Sequence, residues 1–128
     1  MKNGITKPGT NRKRRFNAPH HVNRKFFSAP LSPSLKTQHG TRSMPVIKDD
    51  TVQVTKGDRR LSEGKVLRVN SKKGKIYIEG VTRTRMDGST VQLPIRPENV
   101  MITKLNLDDS RRREMLERRG YEAKKGGE

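Results

Sequence analysis

Gly57 and Gly64 bracket the loop Gly57-Asp58-Arg59-Arg60-Leu61-Ser62-Glu63-Gly64, with Lys56 and Lys65 just outside it. Glycine reaches backbone conformations closed to other residues, so a phosphate or a sugar edge can come close to the main chain there. Arg59 and Arg60 then offer forked donors to whatever anion arrives. The chemistry this pattern supports is the holding of anions. Two further cationic groups accompany it: the turn carrying Lys72, Lys73 and Lys75, and an upstream series of Arg12, Lys13, Arg14, Arg15, Arg24, Lys25 and Arg42.

Residues with other chemistry have simpler explanations. The chain has no Cys, so disulfides and thiolate metal sites are excluded, and His20, His21 and His39 are its imidazoles. Nucleophilic catalysis needs a base beside the nucleophile and a third group to orient it. The histidines lie among cations with no carboxylate placed to do that. The acid pairs Asp49-Asp50 and Asp108-Asp109 precede a strand and open a helix, where local capping accounts for them. Adjacent side chains diverge on a helix, so His20 and His21 do not form a chelating pair. The expectation is a binding protein: not an enzyme, with no catalytic residues, no metal, no cofactor and no small-molecule substrate.

The charge balance points to the partner. Thirty Lys and Arg face thirteen Asp and Glu, a formal charge of +17 on 128 residues, with 28% apolar composition. So small a cation repels itself unless a polyanion neutralises it, and a nucleic acid is the natural one. An anionic membrane would call for an amphipathic helix with bulky apolar anchors, of which Phe26 and Phe27 are the only hint. No apolar run approaches the roughly 18 residues needed to span a bilayer, and MKNGITKPGT lacks the apolar core of a secretory signal. A soluble intracellular protein without membrane insertion is expected.

The elements that must position these cations divide the chain in three. Residues 1–43 hold ten Lys and Arg and no acid, a basic extension expected to fold only when phosphates organise it, and to be removable without unfolding the rest of the chain. Short helices are expected within it, one after Pro19 with Val22 and Phe26 on a face, another from Ser32-Pro33 to Gly40. Residues 44–105 form the folded domain. Val52/Val54, Val66/Val69, Ile76/Ile78, Val91/Leu93/Ile95 and Val100/Ile102 alternate as half-buried strands. Gly74 closes one turn and Asp87-Gly88 marks a hairpin. Pro94 and Pro97 make the fourth strand an edge or one ending in a bend. Five short antiparallel strands bury too little for a two-sheet sandwich, so the fold class is mainly β, a small bent barrel. Residues 106–128 form a short helix, about Ser110 to Arg119 with Gly120 as its stop, and a flexible tail over the last eight residues. Its thin apolar face of Leu107, Met115 and Leu116 suggests docking on RNA or a neighbour more than on its own core, with a solvated helix lying on the barrel as the alternative.

The loop also carries a resemblance. Val54, Gly57, Gly64, Lys65 and Val66, followed by VLRV, a basic turn and IYIEGV, resemble a KOW motif on an SH3-like barrel. KOW motifs occur in transcription elongation factors too, so a KOW-type transcription or chromatin-associated nucleic-acid-binding module is the alternative. The flanks RKRRFNAPHHVNRK, SAPLSPSL, RSMPVIKDDTVQVTKGD and DGSTVQLPIRPENVMITKLNLDDSRRREMLERRG extend the similarity over about residues 11–120, to the archaeal and eukaryotic L24-type family of large-subunit ribosomal proteins (L26 in eukaryotes). At the loop centre, members usually carry Lys-Gly where this chain has Arg60-Leu61. Arg60 keeps the charge and Leu61 gives up a glycine.

The resemblance implies a structural constituent of the large ribosomal subunit in the cytoplasm. Such a protein binds large-subunit rRNA directly, supports early subunit assembly and lies near the polypeptide exit tunnel. Neighbouring large-subunit proteins, and targeting factors at the tunnel exit, are the protein partners it implies. RNA contacts are assigned to the arm (Arg12, Lys13, Arg14, Arg15, Arg24, Lys25 and Arg42), the loop (Lys56, Arg59, Arg60 and Lys65, on the motif glycines Gly57 and Gly64) and the turn (Lys72, Lys73 and Lys75). With three Phe, two Tyr and no Trp, recognition is expected to rest mainly on RNA shape.

Overall fold

The computed structural model describes residues 4–126, with side chains as far as Gly120. Helix α1 (Pro8–Phe16) is followed by the short α2 (His20–Asn23) and a 3-10 turn over Arg24–Phe27. Strand β1 (Ser28–Pro30), helix α3 (Pro33–His39) and strand β2 (Ser43–Pro45) come next. The remaining strands are β3 (Thr51–Val54), β4 (Glu63–Asn70), β5 (Lys75–Thr84), β6 (Thr90–Ile95) and β7 (Val100–Lys104), before helix α4 (Ser110–Gly126).

The five expected strands form one antiparallel sheet in the order β6-β5-β4-β3-β7. Period-two alternation sets its register: Val52 faces Ile102, Val54 faces Val100, and Val66 faces Ile78 across the ladders, all six side chains buried. Register shifts at Thr51/Val52, between Val66 and Arg68, and between Tyr77 and Thr82 bend the sheet. Such irregularities are how a short sheet curls round one core. β6, with Pro94 inside it, lies at the sheet edge as the missing amide requires. The result is a small SH3-like barrel.

Turn chemistry follows the glycines. Gly74 takes φ 66° and donates to the Asn70 carbonyl at 2.9 Å. At the Asp87-Gly88 hairpin, Arg85 N donates to Ser89 O at 2.8 Å and Gly88 N to Arg85 O at 3.0 Å, with Gly88 at φ 91°. The loop is therefore of three residues closed by a left-handed glycine, not the two-residue turn that Asp-Gly favours. Asp87 accepts hydrogen bonds from the Ser89 hydroxyl at 2.7 Å and the Ser89 amide at 2.9 Å, which hold its carboxyl below the usual range.

The core reaches back into the acid-free segment. Phe27, Ala29 and Leu31 are buried with Met44, Val46 and the barrel strands. β1 pairs antiparallel with β2, Leu31 bridges Ile102 of β7, and Ser32 N donates to Ile102 O at 2.9 Å. The barrel's packing thus starts before residue 44, whereas residues 4–26 contribute no buried side chain. Helix α3 begins and ends where the sequence signals: Ser32 Oγ accepts from Leu35 N, and Gly40 closes the C-terminus at φ 66°. Helix α1 was not expected from the sequence. Pro8 in its first turn suits a helix start, but the run of like charges over Arg12–Arg15 offers no pairing to support it.

The C-terminal helix departs from expectation in two ways. It continues through Gly120 to Gly126, over most of the segment read as a tail, of which 127–128 lie outside the described residues. Gly120 is a contact point rather than a stop, because a Cβ there would lie 2.5 Å from the His39 carbonyl at the end of α3. The helix also docks on the barrel itself. Leu116 is buried in the shared core, and Arg112 forms a bidentate pair with Asp50, Nη1 to Oδ1 at 2.6 Å and Nη2 to Oδ2 at 2.7 Å.

Candidate nucleic-acid interface

The loop between β3 and β4 is tied at its base by Leu61 N to Val54 O and Val54 N to Ser62 O, both 2.8 Å. Gly57 (φ 95°) turns the chain out of β3, and Gly64 lies so close to β5 that a Cβ would collide with the Glu79 carbonyl and crowd the Ile78 side chain. The two glycines therefore have different tasks. One provides a turn and the other a close strand contact, while the exposed cations sit between them.

This loop forms one wall of a cleft of about 580 Å³, opposite β5 and β6. Lys56, Arg59 and Lys75 line it together with Arg83 and Arg96, two cations that no sequence pattern marks. Arg59 is steadied by a 2.9 Å hydrogen bond from its Nη2 to the Thr82 carbonyl. Arg83 and Arg96 carry no glycine or charge run to mark them. They matter because antiparallel pairing places Arg83 opposite Val91, and the bend before Pro97 turns Arg96 toward the same opening.

A second cleft, of about 210 Å³, lies between α1 and the β4–β5 turn. Arg15, Lys72, Lys73, Lys75 and Arg96 line it, with Phe16 and Phe26 on the helical side. Lys75 and Arg96 border both clefts, so the loop, the turn and the arm present one continuous cationic band. Its acids are Asp58 and Glu98, and Glu98 lies 3.5 Å from Arg96 in an exposed pair. An exposed pair of this kind is worth little and leaves Arg96 free to exchange partners.

The other assigned cations are placed differently. Arg12, Lys13, Lys25, Arg42, Arg60 and Lys65 are exposed without lining either cleft, and Arg14 borders a hollow with Val22 and Phe26. Arg24 lies in a separate hollow with His20 and Lys48. Lys65, next to Gly64 on β4, pairs across to Thr51 rather than joining the loop wall. Among the described residues, no three His, Asp or Glu side chains gather as a metal site would require, and no helix is long and apolar enough to cross a membrane.

Against known proteins, the sequence matches over residues 6–119 the model of the family of ribosomal proteins called L26 in eukaryotes and L24 in archaea. The chain belongs to this family. It is 46% identical over 114 residues to the large ribosomal subunit protein uL24 of Korarchaeum cryptofilum, covering 89% of this chain and 87% of that protein. It is 51% identical over 105 residues to the large ribosomal subunit protein uL24 of Methanosarcina barkeri, covering 82% and 90%. The match takes in α1, the barrel and most of α4, so the docked helix lies within the family's extent.

The loop centre holds a backbone angle unusual for its residue. Leu61 adopts φ 72° and is 73% exposed. A left-handed backbone is the conformation glycine tolerates and leucine resists. The side chain points to solvent instead of packing inward.

Proposed function

We propose that this protein is a structural constituent of the large ribosomal subunit that binds large-subunit rRNA through the cationic band. One observation carries the reading: three groups of cations far apart in the chain, Arg15, Lys56 with Arg59, and Lys72 to Lys75, converge with Arg83 and Arg96 on two adjoining clefts. Phosphates spaced along an RNA backbone suit such a band better than any single small anion. The family resemblance adds a place and a time, early in subunit assembly and near the exit tunnel, in the cytoplasm, with other large-subunit proteins and targeting factors as neighbours. The exposed arm cations Arg12, Lys13, Arg14, Arg24, Lys25 and Arg42, and Arg60 and Lys65 beside the band, extend the contacts to adjoining RNA.

The test has two parts. A tagged chain should co-sediment with large ribosomal subunits at low salt and resist a high-salt wash once assembled; recovery with RNA polymerase instead would favour a transcription-associated KOW module. With a purified rRNA fragment, neutralising about eight phosphates predicts a slope of roughly −5 to −7 in log affinity against log salt. A slope near zero would exclude the electrostatic mechanism.

A further inference from the structure

The smaller cleft differs from the rest of the band in having aromatic walls. Phe27 is buried and Tyr77 is half-buried under the guanidinium of Arg68, 4.3 Å from the ring centroid. Phe16 and Phe26, by contrast, are 80% and 49% exposed and face the cleft that Arg15, Lys72, Lys75 and Arg96 surround. Arg15 lies 4.9 Å from the Phe26 ring centroid, so ring and guanidinium form one stacked unit. Large exposed aromatics standing singly need no explanation; two of them beside clustered cations at one opening form a site.

We propose that this cleft seats one unpaired RNA nucleotide, its base stacked against Phe16 or Phe26 and its phosphates held by Lys72, Lys75 and Arg96. The inference rests on the RNA-binding reading above and goes beyond it, since a continuous duplex offers phosphates but no free base face. The volume of about 210 Å³ is below the roughly 300–1,000 Å³ of pockets that enclose larger ligands, and suits a single ring system entering from outside. The arrangement also repeats a general division of labour: a flat apolar surface takes the base while neighbouring cations take the adjoining backbone. The backbone of the turn that carries these lysines is closed by Lys73 N donating to Asn70 Oδ1 at 3.2 Å and Gly74 N to Asn70 O. Shape recognition governs the band as a whole, and this cleft adds a local requirement for an extruded base.

The experiment uses the full chain and two RNA hairpins of equal length, one fully paired and one with a single bulged 2-aminopurine nucleotide. The bulged hairpin should bind about tenfold more tightly, the range expected for one base stacked on an aromatic ring, and 2-aminopurine fluorescence should be quenched on binding. Phe16→Leu and Phe26→Leu, made separately and checked for native circular dichroism, should reduce the preference and the quenching, with a smaller loss of affinity for the paired hairpin than for the bulged one. Phe16 makes no core contact, so that variant is informative even if Phe26→Leu fails to fold. Equal binding of both hairpins, or a preference that survives both substitutions, would overturn the base seat and leave RNA binding standing. Binding of neither hairpin would overturn both.

Discussion

Leu61 holds a backbone angle that its side chain opposes, and that side chain is largely exposed. A residue with a Cβ loses about 1–2 kcal/mol in the left-handed region, and glycine's extra freedom in the unfolded chain gives back about 0.4–1 kcal/mol of any relief. Leu61→Gly should therefore stabilise the fold by about 0.5–1 kcal/mol, measured as a raised denaturant midpoint with an unchanged slope. A lowered midpoint would mean that the leucine contributes packing the folded chain does not display. The family resemblance marks Leu61 as a departure, but the dihedral belongs to the loop closure by Val54 and Ser62. The same limit applies to Arg83 and Arg96: each is an ordinary surface cation until strand pairing and a proline bend bring it to the loop wall.

At the scale of elements, the barrel strands were legible because alternation records which face is buried, and α3 was legible because Ser32 and Gly40 cap it. The docking of α4 was not, since its apolar face is thin and its main anchor is a charge. Arg112 reaches across to Asp50 and also donates to the carbonyls of Asn106 at 2.7 Å and Pro45 at 3.0 Å. Asp50 in turn accepts from Ile47 N at 3.1 Å and Asn106 N at 2.8 Å. Both side chains are buried and fully partnered. Sequence spacing explains Asp50 by local capping; it does accept one local bond, from Ile47 N, but its pairing with Arg112 spans most of the domain and leaves no periodic trace. A satisfied buried pair adds little net stability over apolar residues of like volume, whereas removing one partner costs about 3–5 kcal/mol. Asp50→Asn should destabilise by about that amount and release α4, seen as fast amide exchange over residues 110–119. Asp50→Leu combined with Arg112→Met should recover most of the loss. Unchanged exchange in the single variant would show that Leu116 alone holds the helix.

At the scale of the whole molecule, charge and folding divide the chain at different places. The acid-free segment runs to residue 43, and composition alone puts the boundary there, because it counts charges and does not see that Phe27, Ala29 and Leu31 fill the barrel. Burial puts the change at Phe27, since residues 4–26 bury nothing. Two deletions separate these descriptions. Removing residues 1–23 takes away α1, α2 and the cluster Arg12–Arg15 but, among the described residues, no core side chain, so cooperative unfolding should persist. The log–log salt slope for rRNA binding should become shallower by about 3 if four phosphate contacts are lost. Removing residues 1–43 also takes Phe27 and Leu31. Truncating buried Leu or Phe costs about 2–5 kcal/mol each, which together approaches the 5–15 kcal/mol that holds a whole domain. The longer deletion should therefore lose its cooperative transition and near-native β signal. If it unfolds at the same midpoint as the full chain, the barrel closes on its own five strands, and the ribbon of β1 and β2 belongs with the arm rather than with the core.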